Sequence, residues 1–262
     1  GEVASAGGRR RRGQLPRVWL VGLLAPVLFV AACDRGSTAS ESELLVSAAA
    51  SLTDAFAEIE AAFESANPGV DVVLNLGGSS VLREQILEGA PADVFASADI
   101  ANMDLVVAAD GAEISQVFAT NELQIAVPLD NPGAVAGLAD FGDEELLIGL
   151  CAPGVPCGDF AEEVLERAGV TASVDTYEPS VRALLTKIES GDLDAGVVYV
   201  TDGAASEAVT GVEIPASVNV TAAYPIAATS GGSNADGAGA FVAFVLSADG
   251  QEILARHGFG AP

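Results

Sequence analysis

A glycine-serine turn, Gly77-Gly78-Ser79-Ser80, follows the extended apolar run Val70 to Leu76 and opens a helix-patterned run, Val81 to Glu88. Ser51 stands in the same kind of place, after the strand-like run Leu44 to Ala48 and before Leu52, Phe56, Ile59 and Phe63 at helical spacing. Helix N-termini carry unpaired N–H groups and roughly half a positive charge, so small-residue turns there let a tetrahedral oxyanion approach backbone donors directly. Serine hydroxyls add further donors. The chemistry these residues suit is anion capture without cationic side chains. Both serines also fit a second role, as helix caps. Ser51-Leu52-Thr53-Asp54 has the capping-box pattern, and Ser79 could cap a helix after a Gly-Gly hinge.

Other chemistries find less support. A hydrolase needs a nucleophile and a base, and the sole histidine, His257, lies in Arg256-His257-Gly258-Phe259, where a helix-end role is simpler. No enzyme activity is expected. The 37 acidic residues include no Asp-x-Asp-x-Asp-Gly calcium loop and read as solvated faces. Tyr199, within the apolar Gly196 to Val200 strand, reads by itself as a core residue rather than a ligand. Gly231-Gly232 and the run Asp236 to Gly239 read as loop. Cys151 and Cys157 bracket the turn-rich Ala-Pro-Gly-Val-Pro. Outside the cytoplasmic membrane a disulfide is the expected outcome, contributing roughly 2 kcal/mol in the chain-entropy model. Two free thiols, or a soft-metal pair short of ligands, are the alternatives.

The N-terminal stretch assigns the compartment. Arg9 to Arg12 and Arg17 form a basic region, Val18 to Val30 an apolar one, and Val30-Ala31-Ala32-Cys33 a small-residue cleavage site. Crossing the hydrocarbon would take about 20 apolar residues, so this is a signal peptide over 1–32. It looks like a lipobox, with Cys33 lipidated, and the polar residues 33–42 read as a flexible tether. Five of the eleven basic residues and one of the 37 acidic ones lie in residues 1–32, so the remaining domain is more acidic than the formal charge of −26 indicates. Such a surface gives no footprint for nucleic acid, which needs clustered Lys and Arg. With Lys187 its one lysine, it also resembles the surfaces of salt-adapted proteins.

The elements that must position the serines alternate. Extended runs Val94 to Ala96, Leu123 to Val127, Leu146 to Leu150, Val174 to Tyr177 and Ala195 to Val200 are interleaved with helical patterns near Phe160 to Ala168 and Val181 to Ser190. This argues an α/β class with mostly parallel sheets in two lobes, ligands sitting outside the strand carboxyl ends. Chain crossings between lobes are expected near Asn121 to Pro128 and Val220 to Ala228, giving lobe 1 as 43–122 with 226–262 and lobe 2 as 123–225.

Ala48-Ala49-Ala50-Ser51-Leu52-Thr53, Gly77-Gly78-Ser79-Ser80 and Glu88-Gly89-Ala90-Pro91-Ala92-Asp93-Val94-Phe95 resemble, in order, segments of the periplasmic molybdate-binding proteins of ABC importers. Gly154-Val155-Pro156-Cys157-Gly158, Glu178-Pro179-Ser180-Val181-Arg182, Gly196-Val197-Val198-Tyr199, Tyr224-Pro225-Ile226-Ala227 and His257-Gly258-Phe259 continue the resemblance over about Leu44 to Phe259. It implies the type II periplasmic-binding-protein fold with two hinge crossings. It also implies an oxyanion shell of the Ser51 and Ser79 hydroxyls, the Cys157 and Val181 N–H groups and the Tyr199 phenol. Cys157 stands where the family usually has alanine, which a backbone donor tolerates.

The chemistry agrees with that donor set. Molybdate and tungstate are dianions near neutral pH, so every ligand oxygen accepts and the site should offer only donors. Hydrogen bonds to charged acceptors are worth roughly 1.5 to 3 kcal/mol each. Smaller sulfate would leave donors short of contact, and protonated phosphate would need an acceptor. The implied protein is a monomeric, lipid-anchored, extracytoplasmic solute-binding protein without a cofactor, delivering molybdate or tungstate to an ABC permease and its ATPase. A sulfate, thiosulfate or other oxyanion binder, and a sensor or adhesion lipoprotein of the same fold, are the competing readings.

Overall fold

A computed structural model describes residues 42–262. The expected signal peptide and Cys33 lie outside the described residues. Ser42, the last residue of the expected tether, already belongs to the first strand, where it pairs with Val70.

The first half alternates as the apolar periodicity requires. β1 (Ser42–Ala49) runs through a short 3-10 turn, Ala50–Leu52, into α1 (Thr53–Ala66). β2 (Val70–Gly77), α2 (Ser79–Leu87), β3 (Val94–Ala96) and α3 (Ile100–Ala108) follow. β1 pairs with β2 and β3 in parallel. α1 is amphipathic, burying Phe56, Ile59 and Phe63. Phe56 and Phe63 meet Phe241 edge-on, with ring centroids 6.0 and 5.2 Å apart, an arrangement that adds to what burial of the rings contributes.

β4 (Gln116–Pro128) is the long strand that joins the halves. β5 (Ile148–Cys151), α4 (Pro156–Ala168), β6 (Thr176–Glu178), α5 (Val181–Glu189), β7 (Ala195–Tyr199), the short α6 (Val200–Ala204) and β8 (Val209–Glu213) build the second half. β9 (Thr221–Ala228) returns to the first, followed by α7 (Ala235–Val245) and α8 (Ala248–Arg256). The strand order is β2-β1-β3-β9-β4-β7-β5-β6, with β8 also on β4. Gln116 to Glu122 of β4 pair with β9, whereas Leu123 to Pro128 pair with β7 and β8. The strand thus changes partners between Glu122 and Leu123.

The sheet is more mixed than the expected mostly parallel arrangement. β5 pairs with β6 and β7 in parallel, as β1 does with its neighbours, but every pairing of β4 and β9 is antiparallel. The reason is topological: these two strands carry the chain between halves, and a returning strand runs against the ones it rejoins. β9 pairs with β4 from Thr221 onward. Asp236 to Gly239, expected as loop, is the first turn of α7, because the Asn234 side chain accepts the Gly237 N–H and caps the helix.

Asp93 holds this architecture together from inside the Gly-Ala-Pro-Ala-Asp-Val-Phe segment. Its buried carboxylate accepts the Leu45 and Asn234 N–H groups, both at 2.7 Å, tying β1 to the α7 cap. His257 ends α8, with Nε2 2.8 Å from Glu58 of α1.

Candidate functional site

Three helices begin at one point between the halves. Ser79 is the first residue of α2, Pro156 and Cys157 open α4, and Val181 opens α5. Ser51 lies in the 3-10 turn that leads into α1, and Tyr199 ends β7. All five expected residues, Ser51, Ser79, Cys157, Val181 and Tyr199, line a single narrow cavity of about 10 Å3, completed by alanines, glycines, Val155 and Pro156. No lysine or arginine lines it. The positive field comes from helix ends, each about half a charge.

Neither serine caps its helix. α1 is preceded by Leu52 and α2 by Gly78, both without a side-chain cap. Instead the Ser51 hydroxyl lies 3.0 Å from the Tyr224 hydroxyl, and the Ser79 oxygen accepts the Ala98 N–H at 3.0 Å. An oxygen already serving as acceptor leaves its own proton free to donate, so Ser79 is set up as a donor. The Cys157 and Val181 N–H groups have no intrahelical acceptor and take no other partner among the described residues.

Tyr199 is the most telling of the five. It is 1 % exposed, and its hydroxyl has no hydrogen-bond partner among the described residues. A buried hydroxyl left unpaired costs of order 1 to 3 kcal/mol, so natural structures rarely leave one without a purpose. Burial first, then Tyr224, Asp202 and Asp99, holds this phenol well above its ordinary range, so it stays a neutral donor.

Behind Tyr199 the charges are arranged to stay out of the cavity. Arg182, next to Val181, forms an ion pair with Asp54 of α1, and its Nε lies 3.7 Å from Asp202 Oδ1. Asp202 accepts the Tyr199 N–H at 3.3 Å. The guanidinium beside the site is therefore engaged by two carboxylates, one from each half. Among the described residues no group of three His, Cys, Asp or Glu could hold a metal ion.

Cys151 and Cys157 are joined by a disulfide, with Cα atoms 5.7 Å apart. It ties the end of β5 to the first turn of α4, which carries one N–H of the site. Replacing both cysteines by alanine is expected to lower the unfolding free energy by about 2 kcal/mol, the chain entropy of a ring this short. Urea midpoints of the two proteins would read it, and identical midpoints would show that the cross-link adds no stability.

The model of the bacterial extracellular solute-binding protein family matches residues 44–260, almost the whole described chain. The chain belongs to that family. Among curated relatives of this solute-binding protein, the molybdate-binding protein ModA of Mycobacterium tuberculosis is 39 % identical over 229 residues, 87 % of this chain and 88 % of the relative. Among solved structures, the Azotobacter vinelandii periplasmic molybdate-binding protein superposes with a TM-score of 0.74 at 22 % identity, over 84 % of this chain and 99 % of the other. The sulfate-binding protein SubI of Mycobacterium tuberculosis gives 0.75 at 16 % identity, over 83 % and 86 %. At these identities the two structures speak for the fold alone: two lobes, α/β, of the type II periplasmic-binding-protein kind.

Two groups close to the site were not singled out by sequence reasoning. Tyr224 entered only as part of a matching segment, and Asn121 only as the start of a crossing. Their partners are far away in the chain, 173 residues for Ser51 and Tyr224 and 80 for Asn121 and Thr201.

Proposed function

We propose that this protein captures molybdate, or the nearly isosteric tungstate, in the cavity between its lobes and delivers it to an ABC permease and its ATPase. The observation that carries this reading is the convergence of five donors, with the buried and unpaired Tyr199 hydroxyl among them, on one cavity without a cation or a carboxylate. A fully ionised tetrahedral dianion offers only acceptors and is what such a lining suits. The Mycobacterium tuberculosis relative, 39 % identical and named for molybdate binding, points to the same ion. In this reading lobe 1 comprises residues 43–122 and 221–262, lobe 2 comprises 123–220, and the chain hinges where β4 changes partners and where β9 begins. The protein is a monomer held at the outer face of the cytoplasmic membrane by a lipid on Cys33, and it has no catalytic role.

Calorimetric titration of residues 34–262 with molybdate, tungstate, sulfate and phosphate tests this. Tight one-to-one binding of the first two alone is expected. A preference for sulfate, the ligand in the name of one structural neighbour, would keep the donor-only site and overturn the size argument. Binding of none would overturn the reading.

Ser79→Ala removes one hydroxyl donor and is expected to weaken binding by roughly 1 to 3 kcal/mol, about 5- to 150-fold. Since Ser79 is no cap, helix stability is not the reason for the loss. Unchanged affinity in the same titration would remove Ser79 from the shell.

A further inference from the structure

Tyr224 touches the site without lining it. Its hydroxyl lies 3.0 Å from Ser51 Oγ, while the cavity wall is made by Ser51 and not by Tyr224. Either oxygen of that pair could donate, and the group one step further back favours one direction. Asn121 Oδ1 accepts the Glu122 backbone N–H at 3.0 Å. A backbone N–H can only donate, so this contact fixes which way the amide points. Asn121 Nδ2 therefore faces Thr201 Oγ1 at 2.8 Å and, at a longer 3.5 Å, the Tyr224 hydroxyl. An amide nitrogen also only donates. The Tyr224 oxygen can receive from Asn121 over that longer contact, which leaves its one proton free for Ser51. A Ser51 oxygen that accepts from Tyr224 keeps its own proton for the cavity that Ser51 lines.

We propose that Tyr224, oriented by Asn121, is a positioning residue that makes Ser51 an obligate donor, and that this wiring selects fully deprotonated tetrahedral oxyanions over those that carry a proton. The inference rests on the oxyanion reading given above. Ser79 reaches the same state through the Ala98 N–H, and the Cys157 and Val181 N–H groups cannot accept at all. A hydrogen phosphate proton would meet serine hydroxyls whose own protons already face the ligand. Tyr224 is buried and stays protonated, because burial raises its phenol above the ordinary range. Asn121 stands two residues before Leu123, where β4 changes partners, and Thr201 belongs to α6 of the second half. The wiring thus sits at the hinge, and Ser51 is oriented by the strand about which the lobes would move.

Tyr224→Phe isolates the hydroxyl. The ring packs edge-on against Phe118, Tyr199 and Phe259, contacts that phenylalanine retains. Molybdate and phosphate affinities are to be measured at pH 8 by calorimetry, phosphate by competition where it is weak. Four proteins are compared: the unsubstituted one, Tyr224→Phe, Ser51→Ala and the double variant. With Ser51 present, the Tyr224 substitution is expected to weaken molybdate about five- to tenfold, the size of one hydrogen bond to an oriented donor, and to narrow the molybdate-to-phosphate ratio. In the Ser51→Ala background its effect is expected to fall below about twofold, since a residue acting through another is non-additive with it. Equal losses in both backgrounds, or an unchanged ratio, would overturn the wiring while leaving the oxyanion reading intact. Failure of the unsubstituted protein to bind molybdate or tungstate would instead sink that reading, and the wiring with it.

Discussion

Gly78→Ala is expected to weaken ligand capture by at least about 2 kcal/mol, roughly 30-fold, while leaving the thermal stability of the ligand-free protein nearly unchanged. The backbone at Gly78, φ −62° and ψ 135°, is one that any residue adopts, so the glycine is not there for conformational freedom. It is there for space. A Cβ at this position would come within 3 Å of the Pro179 carbonyl oxygen, a backbone atom that cannot swing aside. Gly78 precedes α2 in the first half and Pro179 precedes α5 in the second, so the contact exists only when the two helix N-termini are drawn together. An added methyl group is relieved by opening the cleft, and opening separates Ser51 and Ser79 from Cys157, Val181 and Tyr199. The ligand-free protein can relax in that way at little cost, which is why stability and affinity should part company. Calorimetry and a thermal unfolding curve on the same preparation would read both. Affinity equal to that of the unsubstituted protein would mean that capture does not need so close an approach of α2 to the Pro179 turn.

Local pattern carried much of this architecture. The helical spacing of Leu52, Phe56, Ile59 and Phe63 became α1, and the Val70 to Leu76 run became β2, because one buried face is written in adjacent residues. α7 escaped because Asp-Gly-Ala-Gly has low helix propensity. Its helicity comes from the Asn234 cap and from burial of Phe241 and Val245, which tertiary packing supplies. The first half of β4 escaped for a related reason. Gln116 to Glu122 mixes polar and apolar residues, and its course is dictated by pairing with β9, a strand far along the chain that begins only at Thr221.

The site divides along the same line. Ser51 and Ser79 could be read as rim residues from strand-turn-helix spacing, but cap and ligand donor share one local sequence. Only the Tyr224 and Ala98 partners, remote in the chain, separate them. Tyr199, taken by itself, looked like core. It is core by burial, and its unpaired hydroxyl is a three-dimensional fact. Gly78 reads as a turn glycine until Pro179, 101 residues away, is brought against it.

Between about pH 4 and pH 7 the folded protein is expected to lose up to about 4 kcal/mol of stability through one residue, Asp202. Burial pushes its carboxyl up to about 7, against the opposing pull of Arg182 and the Tyr199 N–H, with Asp54 adding slightly to the rise. Among the described residues its Oδ1 has no hydrogen-bond partner, and neither has Arg182 Nε 3.7 Å away, so the ion pair is not close enough to offset the desolvation of the charge. In the unfolded chain the same carboxyl titrates near 3.9. Through the interval between the two values the folded state holds a proton that the unfolded state has released. The contribution is therefore complete below about pH 4 and is lost as pH rises through 7. Asp202→Asn is neutral throughout and still offers an oxygen to the Tyr199 N–H, so it should lack this slope and be the more stable protein at pH 8. The remaining carboxylates titrate in both proteins and cancel in the difference. Urea unfolding of the pair at pH 4, 5.5 and 8 measures that difference directly. Parallel profiles would show that Asp202 is charged at low cost, with Arg182 drawn nearer than 3.7 Å in solution.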